Sequence, residues 1–96
     1  MLNKLKIDLL KARKEQNALK VSVLSYLLSA IQNKEIALRG KGEELTDEHI
    51  AETINAQIKQ RKESVEQYQA GGRQDLADQE QSELKVLEEI AGEYLK

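Results

Sequence analysis

Apolar residues recur at helical spacing along nearly the whole chain. Leu2, Leu5, Leu9 and Ala12 fall at i, i+3, i+7 and i+10, which predicts a first helix over about residues 2–15. Lys4, Lys11 and Lys14 lie off that face. Lys6 and Arg13 border it and can lay their stems along apolar surface. A short polar break follows, and Asn17 is placed to cap a second helix over about 17–38. Leu24, Leu27, Leu28, Ile31 and Leu38 form its stripe, with Val23 beside it. Glu35 sits in the middle of that stripe, so it needs a partner or must lie beyond the edge of the core. Gly40 and Gly42 are expected to stop the helix and to supply positive φ.

The third helix, about 46–69, has the strongest start signal. Thr46 is the expected N-cap, Asp47 and Glu48 fall where the helix dipole favours acids, and Leu45 and Ile50 suit a hydrophobic staple. His49 stands where a capping box would have Glu, so the box is expected to be incomplete and His49 exposed. The stripe then reads Ile50, Ile54, Ile58, Arg61, Val65, Tyr68. Arg61 is therefore on the apolar face, with Lys59 and Lys62 pointing elsewhere.

Gly71 and Gly72 predict a tight turn into a fourth helix over about 73–94. Leu76, Leu87, Ala91 and Tyr94 share one face with Glu80 and Glu83. Arg61 lies about ten residues before the glycine pair, and Glu80 and Glu83 about eight to eleven after it. In an antiparallel hairpin these positions come level. Arg61 is thus expected to pair with Glu80, Glu83 or both, and Asp75 to cap the fourth helix or to meet Arg73 or Tyr68. The whole reads as one all-α domain over 1–96. It is a four-helix multihelical array in which helices two, three and four are successive antiparallel hairpin neighbours.

Charge changes this picture in one respect. Residues 1–42 carry nine Lys or Arg against three acids, +6, and residues 43–96 carry six against fourteen, −8, giving the net −2. The two halves can attract each other on packing, or the basic half can face a polyanion such as RNA. The chain has no Cys and no Pro. Disulfides and thiolate metal sites are excluded, and a reducing, cytoplasmic setting is expected. No apolar run is long enough to span a membrane and no signal-peptide pattern is seen, so no membrane partner is expected.

Catalytic chemistry finds little support. Glu80 and Glu83 could in principle do acid/base work, but no nucleophile, pocket or metal site is evident beside them. Ser22, Ser25, Ser29, Ser64 and Ser82 have no nearby His to activate them. The single His is no metal site, the two glycine pairs follow helices and not strands, and the three Tyr are scattered. No catalytic residue, metal or cofactor is assigned. Two readings of the polar residues remain. In one, Arg61, Glu80, Glu83, Asp75 and Glu35 are structural ion pairs that fix helix register. In the other, Lys59, Arg61, Lys62 and Arg73 form a recognition patch for an RNA phosphate or a partner carboxylate.

Four stretches carry a resemblance: Ala30–Ile36, Leu45-Thr46-Asp47-Glu48, Ile58–Ser64, and Gly72–Ala77 followed by Glu80 and Glu83. In this order they resemble the YqeY-like proteins, which share an all-α region with the tail of GatB. GatB is a subunit of the glutamine-dependent amidotransferase, a carbon–nitrogen ligase that takes its amido nitrogen from glutamine and acts on misacylated tRNA. The resemblance implies a multihelical domain without catalytic residues of its own, acting as an accessory that binds tRNA or a protein partner. It departs at Ser25, where the family usually has Arg. Family members also usually run on past a Tyr-Leu-Pro into a second small helical domain, whereas this sequence ends Tyr94-Leu95-Lys96, so the likeness is to the N-terminal domain. The alternative expectation is a structural module that self-associates, as a homo-oligomer, or docks on another protein.

Overall fold

The computed structural model describes residues 1–95; Lys96, the last position of the expected 1–96 domain, lies outside them. Four helices follow one another: α1 (Leu2–Lys14), α2 (Ala18–Arg39), α3 (Asp47–Ala70) and α4 (Gln74–Tyr94). The fold is all-α, and each helix bound falls within one residue of the position that periodicity predicts. The molecule measures 45 × 31 × 24 Å, its long axis reflecting α3, which alone runs about 36 Å. No helix among the described residues is long and apolar enough to cross a membrane.

Three helices end in the same way. In each, an amide bonds back five residues: Asn17 to the Ala12 carbonyl, Glu43 to Leu38 and Arg73 to Tyr68. The residue before each of these amides takes positive φ: Gln16 (57°), Gly42 (73°) and Gly72 (73°). This is the Schellman closure, and glycine suits it because a Cβ is strained there. Gly40 is corrected by the structure. It caps α2 in right-handed geometry at φ −62°, and Gly42 alone makes the left-handed step. At Gln16 the same closure is made without glycine. Gln16→Gly should therefore raise stability by about 0.5 kcal/mol, read as a higher urea midpoint.

The helix starts follow local chemistry. Asn17 Oδ1 accepts the Lys20 amide at 3.1 Å, as its position predicts. At α3, Thr46 Oγ1 accepts the His49 amide at 3.3 Å. The capping box, expected to be incomplete, is closed: the Thr46 amide donates to His49 Nδ1 at 3.0 Å. An imidazole nitrogen is an acceptor like the Glu oxygen it replaces. His49 is accordingly half-buried.

The α3–α4 hairpin is the most extensively packed pair, and α2 lies across both of its helices while α1 packs on α2. The core joins Leu5 and Ala12 of α1, Val23, Leu24, Leu27 and Ile31 of α2, Ile50 and Ile54 of α3, and Leu87 and Ile90 of α4. Tyr68, placed on the stripe by spacing, is 36% exposed because it lies in the last turn before Gly71–Gly72, beyond the reach of the core.

α1 is also tied to the far end of the chain. The Tyr94 hydroxyl donates to Asp8 Oδ2, Lys4 pairs with Glu93 at 3.2 Å, and the Lys4 ammonium lies 5.3 Å from the Tyr94 ring centroid. Burial first, then the hydrogen bond to Asp8 and the negative charges of Asp8 and Glu93, push the Tyr94 hydroxyl up from its ordinary value near 10. Above that pH the unfolded chain releases this proton while the folded chain keeps it. The stabilisation is complete below about pH 10 and is lost as pH rises further. Wild type should lose stability faster than Tyr94→Phe as pH rises above about 10, in denaturant titrations run side by side.

Candidate functional site: a cleft over Arg61

Arg61 reaches α4 through one atom. Its Nη1 donates to Glu80 Oε1 at 3.0 Å and to Glu83 Oε2 at 2.7 Å. The three side chains are mostly buried, at 10%, 20% and 15% exposure. Residues 61, 80 and 83 come level because the glycine turn reverses the chain between helices of matched rise. Charge-assisted bonds of this kind are short and strong. They hold α3 and α4 in register at mid-hairpin.

Above this pair lies a cleft of about 290 Å³ between α2, α3 and α4. Ser22 and Tyr26 of α2 form one wall. Gln57, Gln60 and Ser64 of α3 flank Arg61, and Glu80 and Glu83 of α4 complete the lining. The Tyr26 ring stacks over the guanidinium, with 5.5 Å from Arg61 Cζ to the ring centroid, although Tyr26 itself is 53% exposed. Gln57 is 5% exposed, and its Oε1 and Arg61 Nε are buried without a protein hydrogen-bond partner. Charge in the lining does not cancel: two carboxylates face one guanidinium, and every other residue is neutral.

The remaining polar candidates lie elsewhere. Asp75 neither caps α4 nor joins the Arg61 cluster. Arg73 is the N-cap residue, with no side-chain cap bond, and it pairs with Asp75 at 3.2 Å on the exposed turn. The Arg73 guanidinium, then the Leu76 backbone amide, hold the Asp75 carboxyl below the usual carboxylate range. Glu35 is also outside the cluster. It pairs with Arg39 one turn along α2, at 3.7 Å, and lines a separate groove between α1 and α2. The edge of that groove lets the carboxylate stay 40% exposed on a mostly apolar stripe.

Nor does the structure gather Lys59, Arg61, Lys62 and Arg73 into one patch. Lys59 and Lys62, three positions apart and so on one side of α3, are exposed and turned away from Arg61, since neighbours one and two positions apart do not share a helix face. Arg61 is enclosed by carboxylates, and Arg73 is engaged at the turn. Among the described residues no three His, Cys, Asp or Glu are grouped to hold a metal ion.

Gln57 and Tyr26 are the site residues that spacing did not single out. The α3 stripe can step from Ile54 to Gln57 or to Ile58, and polarity favours Ile58. The structure buries Gln57 and leaves Ile58 half-buried. The available signal was that Gln57 sits four residues before Arg61, on the same face. Tyr26 carries no such signal, because its contact is made across helices.

Comparison with known proteins places these features in a family. Three fungal relatives share the name "Altered inheritance of mitochondria protein 41, mitochondrial". The Saccharomyces cerevisiae protein is 39% identical over 84 residues, covering 86% of this chain and 44% of the relative. The Lachancea thermotolerans protein is 35% identical, covering 93% and 46%. The Candida glabrata protein is 32% identical, covering 100% and 50%. The chain thus spans about half the length of the curated relatives it matches. The expected cytoplasmic setting is corrected by these relatives, whose names place them in mitochondria and point to that compartment; an absence of Cys does not distinguish the two. Residues 2–96 match the family described as Yqey-like protein, and the chain belongs to that family.

Proposed function

We propose that this chain is a non-catalytic accessory domain in the sphere of glutamine-dependent tRNA amidotransferases, and that its basic half holds tRNA. The observation that carries the reading is the unequal pairing of charge. Arg61 and Arg73 of the acidic half are taken up by its own carboxylates. On α1, Lys6, Lys11, Arg13 and Lys14 are exposed, with no carboxylate within ion-pair distance among the described residues. Lys6 and Arg13 also edge the groove between α1 and α2. The RNA-facing surface therefore moves from the α3–α4 turn to α1. The relatives' names make a mitochondrial setting part of the proposal.

Phosphate contacts release counterions, so binding should weaken linearly with log salt at about 0.7–0.9 per contact. Changing Lys6 and Arg13 together to Gln should lower that slope by about 2 and weaken all tRNAs alike. Filter binding of tRNA across a salt series reads both effects. If tRNA is not retained even at about 50 mM salt, the reading fails.

A further inference from the structure

We propose that the cleft over Arg61 is a docking pocket for a cationic side chain, an Arg or a Lys, presented on the backbone of a protein partner. Five features converge on this ligand. The lining carries one net negative charge, because Glu80 and Glu83 share a single guanidinium. Gln57 is more than nine-tenths buried, and its Oε1 accepts from no protein donor. An N–H-rich cation serves both needs, bonding the carboxylate oxygens and, once the Gln57 amide turns out from its closed position, the amide oxygen as well.

Arg61 also lines the cleft, one helical turn from Gln57, and its Nε is a donor closed off from solvent without a protein partner. It calls for an acceptor beside the cation, which a peptide carbonyl supplies and a bare amine does not. Tyr26, half exposed at the rim, offers an apolar wall to the methylene stem, and Tyr is enriched at such anchoring points of interfaces. The volume, about 290 Å³, is at the small end for ligand pockets and suits one side chain with its peptide group.

A phosphate is the wrong ligand here. Its charge would meet Glu80 and Glu83, and the Arg61 Nη1 that could offset them is already committed to both. The cleft is therefore independent of the tRNA reading of α1, and either can fail without the other.

The test is an NMR titration of the labelled chain, following the Gln57 side-chain amide, the Arg61 Nε–H and the Tyr26 ring. The probe is acetyl-Gly-Arg-Gly-amide. The controls are the same peptide with citrulline, which keeps the shape and loses the charge, then methylguanidinium, and tRNA. The Arg peptide should shift all three groups with millimolar affinity, and the citrulline peptide should bind at least about tenfold more weakly. Gln57→Met should weaken the Arg peptide about tenfold while leaving helix content unchanged. Glu80→Gln with Glu83→Gln should abolish the shifts, but the pair also supports the fold, so the citrulline comparison on the unaltered chain is decisive. The proposal is overturned if about 10 mM Arg peptide moves none of the three groups, or if citrulline binds as well. It is overturned equally if methylguanidinium matches the peptide, which would make this a site for free cations, or if tRNA moves the same signals.

Discussion

Arg61→Ala should lower the unfolding free energy by about 3 kcal/mol, measured by urea denaturation. The size follows from what is left behind. Glu80 and Glu83 are 20% and 15% exposed, and both lose their donor at once. Two like charges then share a mostly buried site. Arg61→Lys should recover only part of the loss, because an ammonium on a shorter, flexible stem cannot reproduce the planar guanidinium under Tyr26. Replacing all three residues by apolar ones of similar volume should cost far less than Arg61→Ala, since a buried ion pair adds little net stability over well-packed apolar groups. A loss below about 1 kcal/mol for Arg61→Ala would show that water screens the cluster and that it does not hold the hairpin.

Leu27→Ala should cost about 2–5 kcal/mol. Leu27 is fully buried among residues from all four helices, and truncation removes apolar contact while leaving a cavity. A domain of this length has roughly 5–14 kcal/mol in total, so the variant could lose a third or more of its stability. Leu10→Ala provides the contrast. Leu10 is 62% exposed, beside Leu9 on the inward face of α1, and its truncation should stay within about 0.5 kcal/mol. Equal losses at the two positions would contradict the facing of the helices.

Much of this architecture was legible because helical periodicity is a local signal. Four stripes, two glycine turns and two capping residues define α1 to α4, and counting from Gly71–Gly72 brings Arg61 level with Glu80 and Glu83. What was not legible depends on which of two adjacent residues a neighbouring helix selects. Gln57 against Ile58 is such a choice, and so is Ala77 against Leu76 on α4, where the structure buries Ala77. A broad helical face allows either, and only the packing partner decides. Glu35 shows the opposite failure. A wheel places it on the stripe, but at that point the stripe faces the open groove between α1 and α2, while Leu38, nearly one turn further on, is buried. Gln16 and His49 took roles usually filled by Gly and Glu, so residue preference pointed away from them. The compartment was outside the reach of composition altogether.

The bond between Tyr94 and Asp8 joins positions 86 residues apart, whereas Arg61 and Glu83 are separated by 22. Closing the longer loop costs about 1.2 kcal/mol more chain entropy than closing the shorter. The α3–α4 hairpin therefore assembles from nearer neighbours than the contact of α1 with the end of α4. The costlier closure is expected to open first. Detachment of α1 uncovers Leu5 and its α2 partners while Arg61 stays bound, so amide hydrogens of α1 should exchange with solvent ahead of those in the middle of α3.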